Sequence, residues 1–174
     1  MLKPSPEVYD AVKGLRVVRR YLDRPISDEH LDAILQAARW TGSSKNRQSW
    51  VFVVVRSREQ MERLAECGDF TGPLRTADTV VVPVRLPDGY DWDLGRASQN
   101  IMLAAAAVGV GSCPITFHRH DDARRVLGVP DDHSCMWGIA LGYPDAEAEQ
   151  AGRAKNPLSG RKPLDELVRR EQFS

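Results

Sequence analysis

Trp92-Asp-Leu-Gly-Arg-Ala-Ser-Gln-Asn-Ile-Met-Leu-Ala-Ala-Ala-Ala-Val108, closed by Gly109-Val-Gly111, is the stretch around which the rest of the chain has to be arranged. Leu94, Ala97, Ile101, Ala104, Ala105 and Val108 recur at helical spacing and form a broad apolar stripe. Met102 and Ala106 carry apolar surface around the back. A helix apolar on most of its sides needs burial on most of them, and its alanines let a neighbouring backbone come close. Gly109 and Gly111 then stop it.

Upstream, Thr79 to Leu86 is rich in β-branched residues and reads as a strand, with Pro83 marking an edge or a bulge. Ser57 to Cys67 reads as a helix with Met61, Leu64 and Ala65 inward. Trp50-Val-Phe-Val-Val-Val55 is too short for most helices and reads as a buried strand. Ser27 caps a helix from about Asp28 to Trp40, with Leu31, Ile34, Leu35 and Ala38 on its buried face. Pro6 to Gly14 is a short helix. Downstream come a helix at Asp121 to Leu127, a strand at Trp137 to Leu141 and a polar loop at Ala146 to Gly160. The tail from Pro163 to Ser174 is charged, but Leu164, Leu167, Val168 and Phe173 give it something to dock with. The order α, α, β, α, β, α, α, β predicts a layered α/β or α+β domain. So few strands among so many helices suggest that one protomer needs help covering its core.

The chain's 174 residues fit one domain, 1–174. Hydrophobic residues at 42% and charged residues at 28% exclude wholesale disorder. Lys and Arg number 24, Asp and Glu also 24, so the net charge is +0. That balance argues against a nucleic-acid partner and gives no steering towards a membrane. The apolar core Ile101 to Val110 is too short to span a bilayer. Cys67, Cys113 and Cys135 are odd in number, with no CxxC, so neither a disulfide framework nor a zinc knuckle is indicated. The N-terminus is polar and proline-rich, unlike a signal peptide, and the expected location is the cytoplasm.

No GxGxxG follows a strand and no Walker loop occurs, so a Rossmann or P-loop reading has no support. Arg16, Arg19 and Arg20 cluster before a helix, and Arg161 and Lys162 cluster near the C-terminus. Converging, they would suit a phosphate; apart, they are a solvated basic surface. Ser43-Ser44-Lys45-Asn46-Arg47-Gln48-Ser49-Trp50 offers hydroxyls, carboxamides and cations between a helix and a strand. It could meet the polar edge of a planar heterocycle, or simply connect two elements. His118, Arg119, His120, Asp121 and Asp122 lack a further ligand at metal spacing, and Asp121 or Asp122 is better used as a helix cap. No nucleophile elbow surrounds Ser112. No catalytic side chain and no metal are assigned.

Taken together, these segments resemble the FMN-dependent nitroreductase family. Arg16-Val-Val-Arg-Arg-Tyr21 looks like its phosphate-binding stretch, and Ala38 to Trp50 like its helix-to-strand signature. Asp93 to Ile101 with Gly109-Val-Gly111 resembles its central dimer helix. Leu141-Gly-Tyr-Pro144 and Arg161-Lys-Pro-Leu-Asp-Glu-Leu167 resemble its closing motifs. The resemblance implies an α+β fold, a mixed sheet flanked by helices, in an intertwined homodimer whose tails, from about 163 to 174, reach the partner subunit. It implies FMN as cofactor, NADH or NADPH as reductant, and a small conjugated electron acceptor such as a quinone or nitroaromatic, reduced by a ping-pong mechanism. Arg16, Arg19 and Arg161 would hold the phosphate, with Val17 where the family has a serine. Ser43, Ser44, Asn46 and Gln48 would come from the partner. Cys113 to Thr116, chiefly Pro114 and Ile115, would run along the flavin ring and offer it a backbone N–H. Two alternatives stay open at this point: a flavin-sequestering dimer with little turnover, and a specialised flavin oxidase or dehydrogenase acting on a biosynthetic intermediate.

Overall fold

A computed structural model of the chain describes residues 5–155 and 160–173. Its elements are α1 (Pro6–Gly14), α2 (Asp28–Arg39), β1 (Trp50–Val55), α3 (Arg58–Ala65), β2 (Thr79–Arg85), α4 (Asp91–Ala107), β3 (Gly111–Thr116), α5 (His120–Leu127), β4 (Trp137–Gly142), α6 (Ala146–Lys155) and α7 (Leu164–Leu167). The strands form one sheet in the order β1-β2-β4-β3. Every pairing within it is antiparallel, where a mixed sheet was expected.

Period-two alternation in the strands splits the core into two layers. Val80, Val82 and Phe117 face α3 and α5, where Met61, Leu64 and Ala123 are buried. Val81, Ile139 and Leu141 face α2 and α4, where Ile34, Ala38, Ile101 and Ala105 are buried. The result is a helix–sheet–helix sandwich. The expected caps form: Ser27 Oγ accepts from the His30 amide and Ser57 Oγ from the Gln60 amide. Among the described residues, no helix is long and apolar enough to cross a membrane.

Four expectations need correction. β1 lies at the sheet edge rather than buried, with Val51 and Val54 exposed. The proline-bearing β2 lies inside the sheet rather than at its edge. Pro83 fits there because it falls in a gap: the β2–β4 ladder covers Thr79 to Val81, and pairing resumes only at the Arg85–Ser134 bridge. Gly111–Thr116 is a strand that periodicity did not reveal, since Gly-Ser-Cys-Pro-Ile-Thr carries little strand signal and Pro114 sits on the outer strand of the sheet. Finally, residues 146–155 of the expected loop form α6, which Asp145 caps by accepting from the Ala148 amide at 2.9 Å. Its alanines, glutamates and glutamine are good helix formers, and its polarity had hidden it. Residues 156–159 of that loop lie outside the described residues.

Candidate functional site

The stretch from Arg16 to Tyr21 crosses the sheet as a strap where β3 begins and β4 ends. The Val18 amide donates to Ser112 O at 2.9 Å, and the Leu22 amide to Tyr143 O at 2.9 Å. The Tyr21 hydroxyl donates towards Val18 O, 2.6 Å away, and lies 3.2 Å from Ala140 O. Burial drives the Tyr21 phenol well above its ordinary pKa. Two glycines paired across β3 and β4 make the crossing possible. A Cβ on Gly111 would come within 2.8 Å of Val18, and one on Gly142 within 2.8 Å of Tyr21.

The strap separates the two arginines expected to share a phosphate. Arg16 and Val18, with Ser112, Leu103, Ala106 and Ala107, line an apolar cavity of about 420 Å³. Val17 and Arg19, with Cys113, Pro114, Phe70 and Pro73, line another of about 350 Å³. The Arg16 guanidinium also donates to Lys13 O at 2.7 Å and Leu15 O at 2.9 Å, closing the end of α1. Arg161 is exposed just before α7 and lines neither cavity.

Pro114 is exposed at the cavity wall, but Ile115 is buried in the core. Its amide also faces inward. The Phe117 amide donates to Met136 O next to β4, whereas Ser112 O accepts from the strap, so odd-numbered residues of β3 point to β4 and even-numbered ones point out. A backbone N–H offered to a ligand at this edge therefore comes from Ser112 or Thr116, not from Ile115. Burial pushes the Cys113 thiol up to about 11 despite the opposing charge of Arg19, so this cavity wall is a neutral thiol. Phe70 was not foreseen. It is 82% exposed and edge-on to His118, with ring centroids 6.1 Å apart. A lone aromatic in a polar turn carries no periodic signal.

The second candidate region, Ser43 to Gln48, folds as a 3-10 turn over Ser44–Asn46. Lys45, Asn46 and Gln48 each take φ of 53, a left-handed conformation costly for residues with a Cβ. Such strain persists only where the surroundings fix it. Ser43 Oγ accepts from the Gln48 amide at 2.9 Å, so this side chain clamps its own loop. From α4, Arg96 donates to Gly42 O at 2.9 Å and Asn100 to Thr41 Oγ1 at 2.8 Å. Ser44, Asn46 and Gln48 are exposed. Gln48 also borders a cavity of about 450 Å³ between α2 and β1, with Trp50 and Phe52.

These two regions sit at diagonally opposite corners of the sheet. The loop enters β1 at Trp50, level with Arg85 and the start of β4; the strap crosses at Gly111 and Gly142, the other end. Three strand spacings separate the two edges, about 14 Å. With the length of a six-residue strand added, about 20 Å, the two corners of one protomer lie roughly 24 Å apart on the diagonal.

The His118 to Asp122 cluster is used structurally. His118 Nδ1 accepts from the Asp69 amide at 3.1 Å, and Arg119 pairs with Asp69 at 2.8 Å, which holds the Asp69 carboxyl below its ordinary pKa. Asp121 and Asp122 pair with Arg124 and Arg125 one turn on instead of capping α5. No group of three or more metal-type side chains gathers among the described residues.

A model of the Nitroreductase family matches residues 12–67 and 74–143. A relative from Archaeoglobus fulgidus, provisionally named an NADH dehydrogenase/NAD(P)H nitroreductase, is 34% identical over 145 residues, covering 77% of this chain and 83% of its own. A nitrobenzene nitroreductase from Ectopseudomonas oleovorans is 28% identical over 200 residues, covering 81% of this chain and 88% of its own. The solved structure of an FMN-dependent nitroreductase from Clostridium difficile R20291 matches with a TM-score of 0.78 at 27% identity, covering 95% of this chain and 99% of that one.

Proposed function

The chain belongs to the nitroreductase family, and from that premise we propose that two copies form an FMN-dependent NAD(P)H oxidoreductase that reduces a small conjugated acceptor. One observation carries the two-copy arrangement. The strap with its cavity and the strained polar loop stand at opposite corners of one sheet, so one ligand meets both only when the loop comes from a second copy. A two-fold dimer supplies that arrangement twice.

The residues present fit FMN. Arg19 gives a permanent cation, and Val17, Pro114 and Cys113 give a mostly apolar wall, in a cavity of ligand size. When bound, FMN supplies the two-electron chemistry, taking reducing equivalents from NADH or NADPH and giving them to the acceptor in alternating half-reactions. The protein binds and orients. Arg19, on the Cys113 side of the strap, serves the phosphate, whereas Arg16 faces the other cavity and Arg161 lines neither. Ser44, Asn46 and Gln48 of the partner subunit present hydroxyl and carboxamide groups, with Ser43 holding their loop in shape. Arg19 at the cavity would favour a negatively charged ligand there. The neutral Cys113 thiol takes no part as a nucleophile. Nitroaromatics and quinones suit the aromatic Phe70 at the cavity wall, and the Ectopseudomonas relative supports a nitroaromatic acceptor. The single domain's tail, with Leu164, Leu167 and Phe173 exposed on their own protomer, reaches the partner.

The visible absorbance spectrum of the purified protein tests this reading. The expected result is a flavin spectrum that bleaches with NADH or NADPH without oxygen and returns on adding a quinone or nitrobenzene. A flavin spectrum that neither nicotinamide bleaches would overturn the reductase assignment. A protein that is colourless and takes up no added FMN would overturn cofactor binding altogether.

A further inference from the structure

Glu149 is a carboxylate with only 12% of its side chain exposed, on a short helix that follows the sheet. One of its oxygens, Oε1, accepts from two consecutive strap amides, those of Arg19 and Arg20, the latter at 2.7 Å. The residues are 130 and 129 positions apart in the chain, so this is a tertiary clamp rather than a local turn. Arg153, one helical turn on, has its Nε 3.7 Å from the other oxygen. Nothing in the binding scheme above uses Glu149.

The clamp is built from both sides. The Arg20 carbonyl accepts from the Asp145 amide at 3.1 Å, and Asp145 caps the same helix that carries Glu149. The first turn of α6 therefore holds both the amide and the carbonyl side of the strap at one residue. Consecutive amides of an extended chain point in opposite directions. Two such amides meeting one oxygen require the strap to bend at Arg19–Arg20. That bend is where Arg19 joins the Val17, Cys113 and Pro114 cavity.

We propose that Glu149 is a positioning residue for anion binding: by fixing the bend at Arg19–Arg20, it sets the strap in the shape that receives the phosphate end of the cofactor. The inference rests on the assignment of the strap to the FMN phosphate. A carboxylate beside a phosphate site carries an opposing effect, because its negative charge repels the ligand. The two effects can be weighed. Repulsion from a carboxylate this buried is only partly screened by salt, but its charge is already offset by the two strap amides and by Arg153 at 3.7 Å. Hydrogen bonds to a charged acceptor are among the stronger ones, and losing them frees several backbone torsions. Ordering wins, so removing Glu149 weakens phosphate binding despite removing a negative charge.

Two flavins separate this role from general stability. Riboflavin has the ring system of FMN without its phosphate. In the flavin-stripped dimer, Glu149→Ala is expected to weaken FMN by about 10-fold or more, the scale of a lost charge-assisted hydrogen bond. Riboflavin affinity should stay within about 2-fold, since the ring contacts are untouched. Glu149→Gln keeps an acceptor oxygen and loses the charge; FMN affinity should stay within about 3-fold of the unaltered protein. If Glu149→Ala does not fold, Glu149→Asp, one methylene too short to reach both amides, is expected to show the same selective loss. An equal loss for both flavins would overturn the proposal and make Glu149 merely structural. Unchanged FMN affinity, or tighter FMN binding by Glu149→Ala, would overturn it too, the latter marking the carboxylate as a plug. An unaltered dimer that does not prefer FMN over riboflavin would fail at the earlier step, the assignment of the strap to phosphate.

Discussion

Cys113 and Cys135 are held neutral by burial, which moves each thiol from its ordinary 9.0 up to about 11. The consequence for stability has a definite sign. Between about 9 and about 11 the unfolded chain has lost these protons while the folded chain keeps them, so stability falls as pH rises through that window. The buried Tyr21 phenol, shifted upward in the same direction, adds to the trend. Thermal melts across the alkaline range should show Tm falling, and less steeply in Cys113→Ala with Cys135→Ala than in the unaltered protein. Equal slopes would mean that other groups govern alkaline unfolding. At neutral pH the native thiols should react slowly with a thiol reagent, reaching full reactivity only on unfolding. At this scale the sequence was a partial guide. The arginines, the Ser43 to Gln48 loop and the thiols stood out by residue type. That Arg16 and Arg19 face different cavities, that the Ile115 amide points inward and that Glu149 clamps the strap all depend on strand parity or on contacts across the chain. Residue type carries neither.

Between the strap and the sheet, the decisive feature is the pair of glycines facing each other across β3 and β4. Gly111 lies under Val18 and Gly142 under Tyr21. Neither has a positive φ, so their need is for space and not for backbone freedom. Gly111→Ala would set a methyl group 2.8 Å from the Val18 Cβ, closer than atoms of a packed interior come. Overpacking of this kind costs about 1–3 kcal/mol. The expected outcome is a lower midpoint in denaturant together with weaker FMN binding, because the strap can give way only by lifting from the sheet. A variant with both properties unchanged would show that the strap does not lie against Gly111. Element by element, legibility followed periodicity. The amphipathic α2 and α3 and the apolar α4 announced themselves through their spacing, and β1, β2 and β4 through runs of β-branched or apolar residues. β3 and α6 did not, one because Gly, Ser and Pro replace the strand formers, the other because alanines scattered among charged residues make no large apolar face. Which strand forms an edge was misread for a related reason. A run of valines signals a strand but not its neighbours, and Pro83 is tolerated inside the sheet because the ladder is interrupted there.

For the molecule as a whole, one protomer leaves several large apolar side chains exposed. Trp40 and Trp92 are 78% and 76% exposed and Phe173 95%, while β1 turns Val51 and Val54 outward at an unpaired sheet edge. Exposed apolar surface on this scale marks association sites, and open strand edges invite cover. In the proposed dimer a second copy would supply cover and complete the site in the same step, which makes a test by complementation possible. Arg19→Ala damages the strap half of a site, and Asn46→Ala damages the loop half. Each variant alone forms dimers in which both sites carry one defect. When the two are unfolded together and refolded at equal amounts, half of the dimers are mixed. If each site joins the strap of one protomer to the loop of the other, a mixed dimer holds one intact site and one site with both defects. About a quarter of all sites then regain full function, and activity rises from near zero to about that fraction of the unaltered protein. If strap and loop of one protomer served the same site, every site in the mixture would keep a defect and no activity would return. The outcome depends only on which chain supplies each half. It is unaffected by the identity of the acceptor, and a return of activity would tie the diagonal separation seen in one sheet to the assembly that performs the reaction.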